Sequence, residues 1–376
     1  MNQLKQKQTE WITGQSVSMD FLSEKPPASL HPKVPLLKIL KKIISILIIG
    51  TWILICGEVF LRVISIIVPI YNLEMLKYAK SLKVKNKNPK ISHAHKANSS
   101  ANLMGVEISL NSMGHRSNEL NGPKGENEKR LFILGDSIAL GWGVSKGNVF
   151  ANSLAKKLNE EKSKQSGFHF MTINAGIGNY NAFYKAELFK EQMMVVDPDL
   201  VIFQYYINDA EKKAQGTDNF FLNYSLLFAS SHYYFSAFFQ EKGTLAEHYT
   251  KIYQDGSEGW ENAKAALEEL KIICENKQIP LIALLVPDFH YLSSDSPLIP
   301  IYGKIQRTFN EIQIPVVNAF PIIQAEFGAN PRKAWVSHND PHPNKKVHQI
   351  ISDLLFNYIN KQKLLTGKLD FKKEAL

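Results

Sequence analysis

A short apolar run that ends in a polar turn limits the fold of this chain more than any other feature. Residues 131–134 are unbroken apolar sequence, which is typical of a strand buried on both faces. Gly135-Asp136-Ser137 follows directly, and glycine permits a sharp turn that would point the Ser137 hydroxyl into a crevice. Open α/β sheets bind ligands outside the carboxyl ends of their strands. The stretch therefore predicts either a reactive serine or a strand-ending turn with a serine N-cap.

Strand-like runs alternate with helical periodicity from Arg130 onward. The predicted strands are 131–134, 168–174, 200–205, 279–286 and 316–319, and the predicted helices are 149–161, 183–194, 260–274, 302–312 and 345–364. Alternation of this kind indicates a parallel sheet with helices on both faces.

An apolar run near the amino terminus predicts a membrane anchor. Residues 43–61 are apolar except for Glu58 and a few small residues, and about 20 helical residues span a bilayer core. The run starts too far from Met1 for an ordinary signal peptide and has no small-residue cleavage site. We therefore predict a cytoplasmic polar tail over 1–42, a single-pass anchor over 43–66, a basic linker over 67–105 and a catalytic domain over 106–376.

The distribution of charge leaves the orientation of the anchor open. Lys38, Lys41 and Lys42 precede the run and place its amino side in the cytoplasm, but seven lysines between 77 and 96 follow it. This second cluster is either a solvated spacer or a contact for lipid phosphates. It lacks the interleaved aromatic residues of a nucleic-acid surface, so nucleic acid is not an expected partner, despite a net charge of +9. The two cysteines imply no disulfide framework.

Four short polar blocks each follow a predicted strand or precede a helix. They are Gly135-Asp136-Ser137, residues 174–181, Ile207-Asn208-Asp209 and residues 339–344. Together they offer a hydroxyl, backbone N–H groups, an amide and an Asp/His pair, which are the parts that acyl transfer needs. No His, Cys or Asp cluster has metal-ligand spacing, so we expect neither a metal nor another cofactor.

In this order the blocks resemble those of the SGNH/GDSL hydrolase family, and the resemblance covers about residues 106–364. It is closest to the membrane-anchored bacterial branch, on the basis of residues 110–116, 58–62 and 256–260. The resemblance implies a flavodoxin-like three-layer α/β/α sandwich, with a parallel sheet of about five strands. It also implies an esterase that uses an acyl-enzyme.

The family's functional residues transfer to this chain one by one. Ser137 would be the nucleophile and His342 the general base. The Ser137 N–H, a backbone N–H of Gly178 or Asn179, and the Asn208 side chain would form the oxyanion hole.

This chain departs from the family pattern at three positions. Asn179 stands where the family has glycine, Ile207 replaces a common glycine, and Asn339 stands where the family often has the base-orienting Asp. We assign that last role to Asp340, since a carboxylate stabilises an imidazolium far better than an amide does. His348 is expected to be structural, His338 a solvated loop residue, and Asp136 a turn former.

An aromatic insertion at about 211–256 is the least family-like part of the chain. Phe220, Phe221 and several rings between Tyr233 and Phe239 predict either a helical hairpin that packs on the sandwich or a lid that contacts an acyl chain or the bilayer.

The expected function is a membrane-anchored serine esterase, with its catalytic domain outside the cytoplasm. Its substrate would be an O-acyl group, such as O-acetyl, of an envelope glycan or lipid. The alternatives are an O-acyltransferase with the same acyl-enzyme, or a non-catalytic glycan- or partner-binding scaffold. The substrate, the choice between hydrolase and transferase, and the oligomeric state are not determined by the sequence.

Overall fold

The structure is a computed structural model that describes residues 36–212, 220–239 and 243–365. The predicted tail over 1–35, the carboxyl end from 366 and parts of the aromatic insertion lie outside these residues. The strands are β1 (Lys83–Lys85), β2 (His93–His95), β3 (Ser100–Leu103), β4 (Val106–Ser109), β5 (Glu128–Gly135), β6 (His169–Gly176), β7 (Leu200–Tyr205), β8 (Leu281–Leu285), β9 (Val316–Asn318), β10 (Trp335–Ser337) and β11 (Asp340–Pro343). The helices are α1 (Leu36–Ile67), α2 (Tyr71–Leu82), α3 (Ser137–Leu140), α4 (Phe150–Glu161), α5 (Ser163–Ser166), α6 (Ala182–Val196), α7 (Phe220–Tyr224), α8 (Leu226–Phe239), α9 (Leu245–Ile252), α10 (Glu258–Asn276), α11 (Ile299–Glu311), α12 (Phe320–Phe327) and α13 (Lys345–Lys361).

Five parallel strands form the central sheet in the order β6-β5-β7-β8-β9. Numbered along the chain, this order is 2-1-3-4-5, which is the flavodoxin-like order. Side chains of β5 alternate between two cores: Leu131 and Ile133 face one, while Phe132 and Leu134 face the other. Helices α4, α12 and α13 cover the first core, and α6, α10 and α11 cover the second. The predicted three-layer α/β/α fold is confirmed.

The chain divides into two compact units, Met1–Ile53 and Leu54–Leu376. Helix α1 is 32 residues long, and it is the one helix in the described part of the chain that is long and apolar enough to cross a membrane. It extends beyond the predicted span at its amino end. Within the second unit, Arg62 pairs with Glu58 at 2.5 Å, as their spacing of four residues on one helix face favours.

The predicted basic linker over 67–105 is instead folded. Helix α2, the hairpin β1–β2 and the start of the hairpin β3–β4 occupy it. Tyr78 and Leu82 of α2 are buried in a third apolar cluster, together with Trp142 from the loop that follows Ser137. Periodicity did not reveal the strands of this segment because strands of three or four residues are too short to show it, and helix α2 was not predicted.

The aromatic insertion contains α7, α8 and α9, and α8 exposes most of its described rings. Tyr234 and Phe235 are 61% and 65% exposed. Glu58 accepts hydrogen bonds from Ser225 Oγ and from the backbone N–H groups of Leu226 and Leu227, so it caps the start of α8. The insertion is therefore attached to the carboxyl-terminal part of α1. The described rings of α8 are not core, whereas Tyr249 and Tyr253 of the same insertion are buried in the core.

Candidate active site

The turn after β5 places Ser137 at the first position of α3. Asp136 is the N-cap, because its Oδ1 accepts a hydrogen bond of 2.8 Å from the Ile138 N–H. Ser137 is therefore not the N-cap. Gly135 is required for space: a Cβ there would lie 2.3 Å from the Cβ of Ala139 and 2.7 Å from Gln204 Oε1. The sequence correctly predicted that glycine is needed at this position. The reason is the close packing around Gly135, and not the flexibility of the turn.

Three side chains form a continuous line of hydrogen bonds at this turn. His342 Nε2 lies 2.8 Å from Ser137 Oγ, and His342 Nδ1 lies 2.6 Å from Asp340 Oδ1. The backbone N–H of His342 also donates to Asp340 Oδ1 at 3.0 Å. Asp340, and not the exposed Asn339, is thus the residue that contacts the imidazole.

Trp142 completes the environment of the Asp340 carboxylate. The buried indole donates from Nε1 to Asp340 Oδ2 at 2.8 Å. Burial by itself would raise the pKa of Asp340, but the hydrogen bonds and charge of His342 and the bond from Trp142 outweigh it and hold this pKa below its usual value of 3.8. Asp340 is therefore ionised at neutral pH, as a partner for an imidazolium must be.

Buried Arg116 holds the loop that carries Trp142. Its guanidinium donates to the carbonyl oxygens of Leu140, Gly141 and Val144 at 2.7–2.9 Å. The segment 110–116, which was identified only by resemblance, thus supports the loop beside Ser137. Burial lowers the pKa of Arg116 to about 10, which leaves it charged at neutral pH.

Ser137 and Asn208 follow β5 and β7, the two strands between which the sheet order reverses. This reversal is the point at which open α/β sheets bind ligands. A cavity of about 170 Å³ opens here. Its lining residues are Tyr71, Met75, Ser137, Ile138, Asn179, Tyr206, Asn208, Phe289, Pro341, His342 and Pro343. Asn208 Oδ1 is buried and has no hydrogen-bond partner among the described residues.

The two candidate donors of the second block differ in availability. The Gly178 N–H donates to the Tyr78 hydroxyl at 2.9 Å, so it is not available to a substrate. Asn179 lies in the cavity wall with a φ of +70°, a left-handed conformation that asparagine tolerates better than most residues. This conformation explains why glycine and asparagine can exchange at this position.

Three residues of the segment 67–105 hold the Gly178 peptide in place. Its carbonyl accepts from Lys83 Nζ at 2.8 Å and from His93 Nε2 at 2.9 Å, while its N–H is bonded to Tyr78 as described above. Burial and the nearby Lys83 charge lower the pKa of His93 to about 4, so this imidazole is neutral at pH 7. Sequence reasoning missed these contacts because they join residues 85 to 100 positions apart.

Tyr71 covers the imidazole from the start of α2. Its ring lies 5.9 Å from that of His342, and burial, together with the Asp340 and Tyr233 charges, raises the pKa of Tyr71 to about 12. The position of Tyr71, immediately after the apolar helix, was the one available sequence signal, and it does not by itself suggest a site.

Two other histidines, His348 and His338, lie outside the line of hydrogen bonds at Ser137. His348 is fully buried, and its Nδ1 accepts from the Phe150 N–H at 3.2 Å. Burial lowers the pKa of His348 to about 3. His338 is exposed on a turn. In the part of the chain that the structure describes, no group of three His, Cys, Asp or Glu residues is arranged to hold a metal ion.

A buried charge cluster lies under the turn that carries Ser137. Lys185 Nζ donates to Asp209 Oδ2 at 2.6 Å and lies 3.9 Å from Asp136 Oδ2, and all three side chains are fully buried. Burial raises the pKa of Asp209, and the neighbouring Asp136 charge adds to this effect. The cluster links the first and third blocks beneath the cavity.

The sheet order and the three layers together define a flavodoxin-like α/β/α fold. No protein-family model and no curated protein matches this sequence.

Among solved structures, the chain is similar to a two-domain esterase active on acetylated mannans, with 16% identity and a TM-score of 0.40 over 64% of this chain and 51% of that one. It thus spans about half the length of that esterase. It is also similar to the esterase EstA from Pseudoalteromonas sp., with 14% identity and a TM-score of 0.36 over 62% of this chain and 98% of that one. The acetyl xylan esterase AlAXEase shows 14% identity and a TM-score of 0.38 over 61% of this chain and 99% of that one.

Proposed function

We propose that this protein is a membrane-anchored serine esterase of the SGNH type, which removes a short O-acyl group, such as O-acetyl, from an envelope glycan or lipid. The observation that carries the proposal is the line of hydrogen bonds from Asp340 through His342 to Ser137, which ends at a cavity. Nucleophile, base and base-orienter are all in hydrogen-bond contact, as nucleophilic catalysis requires.

Ester cleavage would proceed through an acyl-enzyme. Ser137 Oγ attacks the ester carbonyl while His342 Nε2 takes its proton, and the ionised Asp340 stabilises the imidazolium. The Asn179 N–H and the Asn208 amide donate to the developing oxyanion. The imidazolium then protonates the departing alcohol oxygen. Water attacks the acyl-enzyme with His342 again as base, releases the carboxylic acid and restores Ser137.

The modest size of the cavity at Ser137, about 170 Å³, supports a short acyl group. An O-acyltransferase would use the same acyl-enzyme and differ only in the second attack, which an alcohol in place of water would make.

A serine-directed fluorophosphonate probe tests the proposal directly. The full chain in neutral detergent should be labelled at Ser137 and should hydrolyse a short-chain aryl ester. The Ser137→Ala variant should lose both properties, and His342→Ala should be labelled only weakly. The exposed Ser145 offers a matched control, since Ser145→Ala should keep both properties. A folded wild type that resists labelling and cleaves no ester would refute the esterase and favour a binding scaffold.

We also propose that the catalytic domain lies outside the cytoplasmic membrane, which the lysines before the apolar run support. Protease added to intact spheroplasts should then remove the domain. Complete protection of the domain, with cleavage only after lysis, would reverse the orientation.

A further inference from the structure

A second cavity, separate from the one at Ser137, lies beside the carboxyl-terminal part of α1. We call it the interfacial groove. Its volume is about 830 Å³, and α1, α2, α7 and α8 form its walls. Residues of α2 divide between the two cavities: Tyr71 and Met75 line the first, whereas Leu76, Lys77 and Lys80 line the groove.

The lining of the interfacial groove combines cations with apolar surface. Arg62, Lys77, Lys80 and Lys83 supply the positive charge. Ile66, Leu76, Leu222, Leu226, Ala229 and Tyr233 supply apolar or aromatic surface. A ligand that matches both features carries a negative charge and an apolar part.

Two of the four cations have no carboxylate partner among the described residues. Arg62 pairs with Glu58 and Lys77 with Glu74. Lys80, in contrast, contacts only the ring face of Tyr224, at 5.6 Å. Lys83 donates to two neutral oxygens, the Gly178 carbonyl and Asn179 Oδ1.

The partly buried ammonium of Lys83 has no carboxylate partner within the described ranges of the chain. Its desolvation lowers the pKa of Lys83 to about 7. An anion bound in the groove would supply the missing charge. Because Asn179 also lines the catalytic cavity, that anion would lie close to the catalytic site.

The position of the groove along α1 indicates where the anion comes from. Twenty residues, from Ile43 to Arg62, extend about 30 Å as a helix, which is the thickness of a bilayer core. Arg62, Ser65 and Ile66 of α1 line the groove. A helix that spans the bilayer from Ile43 would therefore place the groove at the level of the lipid headgroups.

We infer that the interfacial groove binds the phosphate-bearing headgroup of an anionic membrane lipid. The cations contact the phosphate, and the apolar wall contacts the first part of the acyl chains. A soluble phosphate would leave the apolar wall unused. This inference does not depend on turnover, and its test has a binding readout.

The test uses the full chain carrying Ser137→Ala in neutral detergent, so that no lipid is hydrolysed. Calorimetric titration compares dihexanoyl phosphatidylglycerol with dihexanoyl phosphatidylcholine and with inorganic phosphate. We expect the anionic lipid to bind at least about tenfold more tightly than either of the others, since hydrogen bonds to charged groups are the stronger kind. Equal affinity for the two lipids would refute a charge-selective site. Equal affinity for inorganic phosphate would assign the groove to a soluble anion and refute the lipid.

Two exposed lysines provide the matched variants. Lys80→Gln should weaken phosphatidylglycerol binding about tenfold and leave phosphatidylcholine binding unchanged, because it removes a cation that has no carboxylate partner. Lys87 is exposed and belongs to the same basic segment but does not line the groove, so Lys87→Gln should leave both affinities unchanged. A loss with Lys87→Gln as large as that with Lys80→Gln would show diffuse electrostatic attraction instead of a site. Since both side chains are exposed, circular dichroism should show both variants folded.

Discussion

The hydrogen bond from Trp142 to Asp340 offers a sharp test of the site, because it joins a buried indole to a buried charge. Trp142→Phe removes the bond of 2.8 Å and leaves Asp340 Oδ2 without that donor. A hydrogen bond to a charged group contributes about 1.5–3 kcal/mol to stability. The smaller ring also leaves a void in the cluster with Tyr78, which adds to this loss.

The same change should raise the pKa of Asp340. If the ionised carboxylate loses about 1.4 kcal/mol of stabilisation, its pKa rises by about one unit. In the wild type the folded pKa lies below the usual value of 3.8. The contribution of Asp340 to stability is therefore complete above that value and is lost as the pH falls through the lowered one. In Trp142→Phe the loss should be smaller and should end at a higher pH.

Trp335 supplies the matched control. Its Nε1 donates at 2.8 Å to the Phe289 carbonyl, which is a neutral acceptor. Trp335→Phe should therefore lower the free energy of unfolding by only about 1 kcal/mol. This loss should not depend on pH near 4. Urea unfolding of the wild type and both variants in neutral detergent, at pH 7 and at intervals down to about pH 2, measures the difference. Activity on a short-chain aryl ester should fall about tenfold or more in Trp142→Phe, since the carboxylate is no longer fixed against His342. Equal losses of stability in the two variants at pH 7 would refute the assignment of a charged Asp340.

Three further predictions concern the surroundings of the nucleophile. Gly135→Ala should lower the free energy of unfolding by about 1–3 kcal/mol, because the new Cβ would lie 2.3 Å from the Cβ of Ala139. Gly147 has open space around it, so Gly147→Ala should leave the stability unchanged. Similar melting temperatures for the two variants would disprove the packing argument. Asn208→Ala should lower kcat about 10²- to 10³-fold with little change in stability, as expected for one oxyanion donor; an unchanged kcat would remove Asn208 from the oxyanion hole. Lys185→Met should lower the free energy of unfolding by about 3–5 kcal/mol, because it leaves buried carboxylates unpaired. Adding Asp209→Asn should restore part of that stability, and a further loss would contradict the charge pairing.

Most of the central fold was predictable because it depends on local pattern. The strand at 200–205 was predicted at its observed bounds, and the other strands of the central sheet and their covering helices lie within a few residues of the prediction, except α12, which was not predicted. A run of buried strands alternating with amphipathic helices has few compact solutions other than a parallel sheet covered on both faces. The order of the four polar blocks then limited which side chains could meet at the reversal point.

The site was predictable only in part. Ser137, Asp340 and His342 meet as expected. Ser137 follows β5 of the central sheet, whereas Asp340 and His342 lie in β11 of the separate hairpin β10–β11. The sequence left Gly178 and Asn179 as equal donors, and the bond from Gly178 to Tyr78 separates them. The catalytic roles themselves remain predictions.

The sequence by itself determined the parallel sheet covered on both faces and the residues able to carry acyl transfer, because local periodicity limits these features. The flavodoxin-like arrangement of the strands was implied only by the family resemblance. Only the tertiary structure showed that the segment after α1 is part of the site, that Trp142 bonds Asp340, and that Gly135 is a packing requirement. Each of these depends on contacts between residues far apart in the chain, as the 198 positions between Trp142 and Asp340 show. No local pattern records such a contact, because burial and hydrogen-bond partners at that distance are decided only when the elements pack.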